Sequence, residues 1–430
     1  MPFALTVVVN QGRKDSPLPQ GEMLNVMQSF TNVTAINTKY SLKLNMQRKI
    51  YDANVLYESY LKAKKNSDWK PQVQRYEMNF LENIADLQKE LSQHTYKSDK
   101  GIEFVINERG HQRSITGNTM RDRVVRHAVC DEGLSPFVNP RLIYDNGASQ
   151  KGKGVSFSKN RIEAHLHRYY RKYGTNKGYI LMMDFSKYYD NIRHDIAYDQ
   201  LASLNPDEDL LMILREIIDA FSVDVSYMSD EEFSAAITGK FNVMKHREIV
   251  TDADKRGEKL LRKSVSIGDQ TSQIIGIYYP HLIDNYVKIV EREEFYARYM
   301  DDSYIISNDK ERLKYLLGKI KEIASSLGIH VNDRKTHIKR IDRPFTFLQN
   351  TYYLTDSGRL VIKICKKRIV AMRRKLKKLK RKIDEGKTDY ESVKNMYRSW
   401  MGGYKSIMSE RQRINLNALA VELYGEDFIK

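Results

Sequence analysis

Apolar residues recur at helical spacing over much of the chain. Phe80, Ile84, Leu87 and Leu91 follow one another at steps of three and four residues, which places them on one face of a helix. They belong to a helical region that runs from about residue 44 to 95. The same pattern predicts further helices at residues 121–130, 155–169, 208–222, 271–290 and 311–327.

Strands are predicted between these helices. Residues 102–106 (IEFVI) read as a strand, 107–110 as a turn and 114–115 as the start of a return strand. Residues 179–185 (YILMMDF) form a continuous apolar strand that ends at an acid, and 295–307 form a hairpin. Strands and helices that alternate in this way predict an α+β sheet domain.

Three stretches depart from these patterns. Residues 10–40 contain many turn-forming residues and few apolar residues at regular spacing, so we expect an irregular N-terminal extension over residues 1–45. Residues 225–262 are polar and charged, which is typical of an insertion or a mobile loop. The tail from about residue 360 is very basic and helical, and its apolar positions repeat at heptad-like steps that indicate a separate packed lobe: Ile369, Met372, Leu376, Leu379 and Ile383.

The composition indicates which kind of binding partner and which cellular compartment to expect. The 430 residues are 41% hydrophobic and 30% charged, with a net charge of +17. This content is enough for a sizeable core, and the charge favours a polyanion, either nucleic acid or an acidic membrane surface. No apolar run reaches 18 residues, so no membrane span is expected. The N-terminal MPFALTVVV lacks the basic start of a signal peptide, and two cysteines, Cys130 and Cys365, indicate a reducing cytoplasm without a zinc site.

Two predicted strand ends carry carboxylates. Asp301 and Asp302 lie at the turn of the 295–307 hairpin, and Asp184 ends the 179–185 strand. A carboxylate at the end of a buried strand is costly unless it is paired or bound to a metal. Mg²⁺ prefers such hard oxygen ligands, and two ions about 3.5–4 Å apart clamp the attacking and leaving oxygens of an in-line displacement.

The segments around these acids resemble reverse transcriptases. Tyr299-Met300-Asp301-Asp302 between apolar strands is similar to their catalytic hairpin, and Asp184 followed by two aromatics and Asp-Asn-Ile resembles their first catalytic motif. Further blocks match in order over roughly residues 75–365: His94-Thr95-Tyr96 with IEFVI, 113–129, 142–154, 266–284, 328–338 and 345–355. The closest likeness is to bacterial and phage enzymes of diversity-generating retroelements, abortive infection and antiphage defence, and more distantly to group II intron and retron enzymes.

The resemblance implies roles at the reaction centre. Asp184, Asp301 and Asp302, with the backbone carbonyl of Phe185, would hold two Mg²⁺ ions, for which Mn²⁺ can substitute. Lys335 would donate a proton to the pyrophosphate leaving group or neutralise it. Tyr189 would be the gate that rejects a 2′-hydroxyl, although only one of Tyr188 and Tyr189 can face the site.

The resemblance also implies contacts to nucleotide and nucleic acid. Arg113 and Arg123 would clamp the phosphates of the dNTP, with Arg121 or Arg126 as alternatives. Ile267 and Gly268 would lie at the new base pair; most relatives have glutamine in place of Ile267, so strict base-pair checking is not the default expectation. Template and duplex would be bound by Lys151, Lys153, Ser272, Gln273, Arg373, Arg374, Lys377, Lys378 and Arg381.

The implied fold is an α+β right-hand polymerase. Its fingers and the start of the palm would span residues 46–178, its palm with an antiparallel sheet 179–358, and its basic helical thumb 359–430. The expected function is RNA-directed DNA synthesis on an RNA template, such as a dedicated non-coding RNA, with a DNA primer or product and dNTPs as partners. No membrane contact is expected, and homo-oligomerisation is left open.

Three other readings stay open at this point. One is a different polymerase, either an RNA-dependent RNA polymerase or an untemplated terminal transferase. Another is a catalytically idle RNA-binding scaffold, against which the intact set of three aspartates argues. The third is a maturase-like splicing helper that binds a structured intron through the thumb. The pathway, whether antiphage defence or diversity generation, is also open.

Overall fold

A computed structural model describes residues 49–99, 101–108 and 111–429 of the protein. The predicted N-terminal extension lies outside these residues. No helix within the described ranges is both long and apolar enough to cross a membrane. The sixteen α-helices and eleven strands found there are numbered below in chain order.

The N-terminal part combines four helices with a hairpin. The helices are α1 (Ala53–Lys64), α2 (Pro71–Met78), α3 (Phe80–Ser92) and α4 (Met120–Ala128). The hairpin strands β1 (Ile102–Glu108) and β2 (His111–Gly117) are antiparallel. Leu87 and Leu91 are buried and Ile84 nearly so, as their spacing predicts, and the return strand is longer than expected. A short helix α5 (Ser135–Val138) follows.

The central sheet has the strand order β6-β7-β3-β8, and all its neighbours are antiparallel. Its strands are β3 (Tyr179–Met183), β6 (Tyr296–Tyr299), β7 (Asp302–Ser307) and β8 (His337–Arg340). The apolar run of β3 is explained by its central place between β7 and β8. Two long helices pack against the sheet, α6 (Val155–Tyr173) and α13 (Lys310–Ser326).

The chain between β3 and β6 begins with four helices and a small ladder. They are α7 (His194–Ala202), α8 (Glu208–Asp219), β4 (Val223–Asp224), α9 (Asp230–Thr238), α10 (Val243–Ile249) and β5 (Leu260–Leu261). The expectation of a mobile loop at 225–262 is therefore wrong. This stretch, called the insertion here, folds around Val225, Phe241, Val243 and Leu261.

The predicted helix at 271–290 is broken. It forms α11 (Gln270–Tyr278) and α12 (His281–Asn285), with a π-helical turn at Tyr286–Val290. Pro280 lies at the break, where a residue without a backbone N–H cannot continue the hydrogen-bond ladder.

The C-terminal part begins with a strand, which corrects the prediction of a helix from residue 360. Strands β9 (Phe345–Phe347), β10 (Asn350–Leu354) and β11 (Leu360–Ile364) form a second antiparallel sheet. Three helices follow: α14 (Lys366–Asp384), α15 (Tyr390–Tyr404) and α16 (Glu410–Tyr424). Met372 and Leu376 of α14 are buried against α15 and α16, as the heptad-like spacing predicts.

Candidate active site

A large cleft opens beside one end of the central sheet. Its volume is about 2200 Å³, and its walls come from the hairpin, the insertion, the segment before α11 and the turn between β6 and β7. Arg113, Tyr189, Gly268, Asp301 and Lys335 all line it. Residues predicted from distant parts of the sequence thus meet in one concave site.

The three predicted aspartates lie together at this end of the sheet. Met183 of β3 pairs with Ser303 of β7, so Asp184 follows beside Asp302. Tyr299 pairs with Asp302 across the tight β6–β7 turn, which carries Asp301. Met300, whose φ is 55°, adopts the left-handed backbone conformation in this turn.

The carboxylate of Asp184 has two partners from the segment after α13. Lys335 Nζ donates to its Oδ2 at 2.9 Å, and Asn332 Nδ2 donates to its Oδ1 at 3.1 Å. The backbone N–H of Asn332 also donates to the Asp184 carbonyl at 2.8 Å. This segment therefore runs alongside the end of β3 and brings Lys335 to the acids.

Burial and the repulsion between neighbouring acids raise the pKa of Asp301 and of Asp302. Burial, followed by the charges of Asp301 and Asp184, raises the pKa of Asp302 to about 7. Burial and the charge of Asp184 also raise the pKa of Asp301. Burial by itself would lower the pKa of Lys335, but the hydrogen bond to Asp184 and the neighbouring acids raise it. The cluster thus has more negative charge than its protein surroundings balance.

The acids match a hard divalent cation in the chemistry of their donors. Within the described residues, however, no three histidine, cysteine, aspartate or glutamate side chains come close enough to hold a metal ion between them. Asp184 is engaged by Lys335 and Asn332 instead. A cation that used Asp184 would exchange for the Lys335 ammonium.

A buried arginine that the sequence reasoning missed supports the acidic turn. Arg298 is 1% exposed, and its guanidinium donates to both carboxylate oxygens of Asp284, at 2.8 and 2.5 Å. It also donates to the carbonyl of Met300 at 3.0 Å and to that of Ile277 at 2.7 Å. Arg298 therefore joins the turn to helices α11 and α12. The sequence did contain a signal for this residue, because an arginine at an inward-facing position of an apolar strand needs a buried partner.

Tyr188 and Tyr189 both line the cleft but differ in burial. Tyr188 is buried and donates to the Gly276 carbonyl at 2.7 Å. Tyr189 lines the cleft and lies 3.8 Å from the Met300 sulfur. A Cβ at Gly276 would lie 3.0 Å from the Tyr189 hydroxyl oxygen, so the ring lies flush against α11.

The arginine pair expected at the phosphates is not brought together. Arg113 is exposed on β2 and lines the cleft. Arg123 instead donates to the carbonyl of Ala63 and approaches Ser67, because its position on α4 faces α1. The placement of Arg123 at the phosphates is therefore corrected.

The two alternative arginines are both engaged by carboxylates, although Arg126 also lines the cleft. Arg121 pairs with Glu90 and lies over the Tyr96 ring. Arg126 is 2% exposed and donates to Asp269 at 3.0 Å. Asp269 caps the start of α11, so Arg126 holds the segment that carries Ile267 and Gly268.

That segment forms one wall of the cleft. Ile267 bridges to Ile115 of β2, and Gly268 has a φ of 99° that favours glycine. Gln273 is exposed and lines the cleft. Ser272 lies in the first turn of α11 and is fully buried, so the prediction that it contacts nucleic acid is corrected.

A comparison with protein families decides the wider assignment. A model of the family "Reverse transcriptase (RNA-dependent DNA polymerase)" matches residues 105–351, which is more than half of the chain. The protein is a member of the reverse transcriptase family. The α+β fold with its antiparallel sheets is accordingly a right-hand polymerase, as predicted. Reverse transcriptases generally use divalent metal ions.

Two further comparisons add little to this assignment. A solved structure of telomerase from Candida albicans, in complex with a fragment of telomeric RNA, is similar over 82% of this chain at 11% identity, with a TM-score of 0.45. This reverse transcriptase covers 63% of that chain, less than two thirds of its length. No curated protein sequence matches.

The cations predicted to meet nucleic acid differ in exposure in this reverse transcriptase. Lys153 donates to the carbonyls of Tyr144 and Asn146 within its own loop, at 2.8 and 3.1 Å, which corrects its assignment to the template. Lys151 is exposed. The five predicted cations of α14 are all exposed on the helix surface opposite its packed side: Arg373, Arg374, Lys377, Lys378 and Arg381.

Proposed function

We propose that this protein is an RNA-directed DNA polymerase that extends a primer with dNTPs. The observation that carries the proposal is the group of Asp184, Asp301 and Asp302 at one end of the central sheet of a reverse transcriptase domain. The reaction is attack of a primer 3′-hydroxyl on the α-phosphate of the dNTP, with pyrophosphate as the leaving group.

The three aspartates and the Phe185 carbonyl would hold two Mg²⁺ ions. Such ions neutralise the developing phosphate charge and activate the attacking hydroxyl. Lys335, which bonds to Asp184 at 2.9 Å, would be released toward the leaving pyrophosphate and would donate a proton to it or neutralise it. Arg298 would keep the turn of Asp301 and Asp302 in place through the Met300 carbonyl.

Nucleotide selection would fall to the cleft wall beside Tyr189. The ring is held between Gly276 and Met300, so it has no space to retreat from a 2′-hydroxyl. Arg113 would bind the triphosphate, and Ile267 with Gly268 would lie against the new base pair. These contacts predict a preference for dNTPs over rNTPs.

We assign residues 46–178 to the fingers and the start of the palm, 179–358 to the palm and 359–430 to the thumb. The exposed cations of α14 would lie along the template–primer duplex and bind its backbone without regard to sequence. Gln273 and Lys151 would contact the template. The template would be a dedicated RNA of a bacterial defence or retroelement system, copied in the cytoplasm.

A primer-extension assay tests the proposal. The purified protein is given an RNA template with a DNA primer, Mg²⁺ and either dNTPs or rNTPs, beside the Asp301→Ala/Asp302→Ala variant. We expect template-dependent incorporation of dNTPs by the wild type only. Extension without template, or a preference for rNTPs, would assign the site to another polymerase class. No incorporation on any template would overturn the proposal.

Metal binding is tested separately by thermal unfolding with and without Mg²⁺. Ligand binding to the folded state stabilises it by about 2.7 kcal/mol when the ligand is at a hundred times its Kd. We expect Mg²⁺ to raise the midpoint of the wild type and to leave that of the Asp301→Ala/Asp302→Ala variant unchanged. Equal effects on both proteins would contradict binding at these residues.

A further inference from the structure

Two exposed lysines line the cleft close to the acids. Lys187 follows Asp184 by three residues, and Lys240 lies in the insertion between α9 and α10. Within the described part of the chain, neither ammonium has a carboxylate partner. The insertion has no assigned part in the proposed reaction, so the position of Lys240 requires an explanation.

One buried side chain joins the backbone of Lys187 to the backbone of Phe241, the residue after Lys240. Asn191 is fully buried, and its amide donates to the carbonyl of Lys187 at 2.8 Å and to that of Phe241 at 3.2 Å. Its side-chain oxygen accepts the backbone N–H of Phe241 at 2.8 Å. The turn after Asp184 and the chain next to Lys240 are thus joined through a single amide.

A second buried side chain fixes the other side of Lys240. Lys263 is fully buried and donates to the Gly239 carbonyl at 2.6 Å. Asp190 accepts the backbone N–H of Val243 at 3.2 Å. The backbone is therefore held before and after Lys240, while its side chain remains in the cleft. A group that is fixed before binding loses less conformational freedom when a ligand arrives.

Lys240 lies near the segment that contacts the acids. Burial, followed by the charges of Lys263 and Lys240, lowers the pKa of His330. The pKa of Asp333 is lowered mainly by its bond to Lys321 and to a smaller degree by the charge of Lys240. His330 and Asp333 flank Asn332, which bonds to Asp184. Lys335 lies on the same segment and lines the same cleft. The cations Lys187, Lys240 and Lys335 therefore line one cleft, together with Asp301.

We propose that the insertion completes the nucleotide site, with Lys240, fixed beside Lys187, binding the β- and γ-phosphates of the incoming dNTP. The inference rests on the proposed polymerase function. An ammonium is a compact charge suited to phosphate, and the same contacts hold the pyrophosphate after the reaction. A template strand is the other source of phosphate in this cleft, and the experiment distinguishes the two.

The test compares Lys240→Ala and Lys240→Arg with Lys245→Ala, an exposed lysine of α10 that does not line the cleft. Steady-state kinetics give kcat and the KM for dNTP on one primer–template. Calorimetry with inorganic pyrophosphate and Mg²⁺ measures phosphate binding without turnover. A salt titration gives the affinity for the primer–template. Thermal midpoints verify that all variants are folded.

We expect Lys240→Ala to raise the KM for dNTP about tenfold, roughly one charged contact, and to weaken pyrophosphate binding to a similar degree. Its kcat and its affinity for primer–template stay within twofold of the wild type. Lys240→Arg retains most of the binding because it keeps the charge, and Lys245→Ala behaves as wild type.

Two results would overturn the inference. An unchanged KM together with unchanged pyrophosphate binding would show that Lys240 is a solvated lysine that does not bind the nucleotide. A weaker primer–template affinity with a smaller salt dependence, at unchanged KM, would place it on the template. In both cases an active wild type leaves the polymerase function standing. A wild type inactive on every template would instead remove the proposed function itself.

Discussion

The end of the central sheet and the surface of α14 hold charged side chains in opposite ways. At the sheet, Asp184, Asp301, Asp302 and Arg298 are largely buried, and each has a hydrogen-bond partner or a neighbouring charge. On α14 the cations are exposed and the helix packs only through its apolar side. A buried charge loses its hydration and needs a defined partner, whereas an exposed charge does not. We therefore expect individual residues to be decisive at the sheet and interchangeable on α14.

The largest effect is expected from the acids. Asp301→Asn removes one negative charge from the proposed metal site and changes its shape little. We expect primer extension to fall on the order of 10³-fold or more, since stabilisation of transition-state charge is a dominant part of such catalysis. Stability should hold or rise, because burial and Asp184 already raise the pKa of this acid.

Two measurements check this prediction. They are single-turnover extension and the free energy of unfolding, beside the exposed Asp68→Asn as a matched control. If the Asp301→Asn variant kept a tenth of the wild-type rate, single residues at the end of the sheet would not be decisive, and the contrast with α14 would fail.

Two arginines provide the most direct comparison. Arg298→Met leaves the Asp284 carboxylate buried without its partner, and breaking such a pair costs about 3–5 kcal/mol. Arg373→Met on α14 should change the free energy of unfolding by less than about 0.5 kcal/mol. Chemical denaturation measures both. Similar losses in the two variants would show that burial does not separate the regions in the way described here.

A substitution of Tyr189, the proposed sugar gate, tests whether the shape of the site at the end of the central sheet matters as much as its charge. Tyr189→Val opens space between Gly276 and Met300. We expect the ratio of rNTP to dNTP incorporation to rise by about 10²-fold, in line with the discrimination that one hydroxyl affords. Tyr188→Phe is the control, because it removes only the bond to the Gly276 carbonyl. A ratio that responds equally to both substitutions would contradict the assignment of Tyr189.

The smallest effect is expected from one cation of α14. Lys377→Ala should weaken template–primer binding a few-fold and lower the slope of log K against log salt by roughly one phosphate contact, or about 0.7–0.9. Removing all five cations should lower the slope several times as much. Fluorescence anisotropy at several salt concentrations measures this, with Lys314→Ala on α13 as control. If a single substitution abolished binding, individual residues would be as decisive on α14 as at the end of the central sheet.

The sequence predicted the central strands and the acids well because both rest on local signals. A continuous apolar run favours a central strand, and a carboxylate at the end of a buried strand is costly unless it is paired or bound to a metal. The ordered blocks that resemble reverse transcriptases singled out Asp301 and Asp302. The arginines were harder, since Arg121, Arg123 and Arg126 share one short helix and only the packing of α1 and α11 decides where each points. Ser272 was misplaced for the same reason.

The sequence left open whether residues 225–262 are an insertion or a mobile loop, and it did not show that this stretch folds. Its core residues, Val225, Phe241, Val243 and Leu261, are separated by polar stretches and show no period. Its attachment depends on Asn191 and Lys263, two polar residues that look like surface positions until they are seen to be fully buried. Composition averages over a segment, so it cannot reveal a few apolar residues that meet only after folding.

The close contact between Gly276 and Tyr189 has a consequence for how the sequence can drift. While the ring is present, a side chain at 276 would meet its hydroxyl at 3.0 Å and its ring carbon at 3.2 Å, so position 276 remains glycine. Once a smaller residue replaces Tyr189, that restriction ends, and any side chain then accepted at 276 blocks the return of tyrosine. Relaxed sugar selection would thus be hard to reverse in a lineage, and the order of the two substitutions would be readable from its descendants.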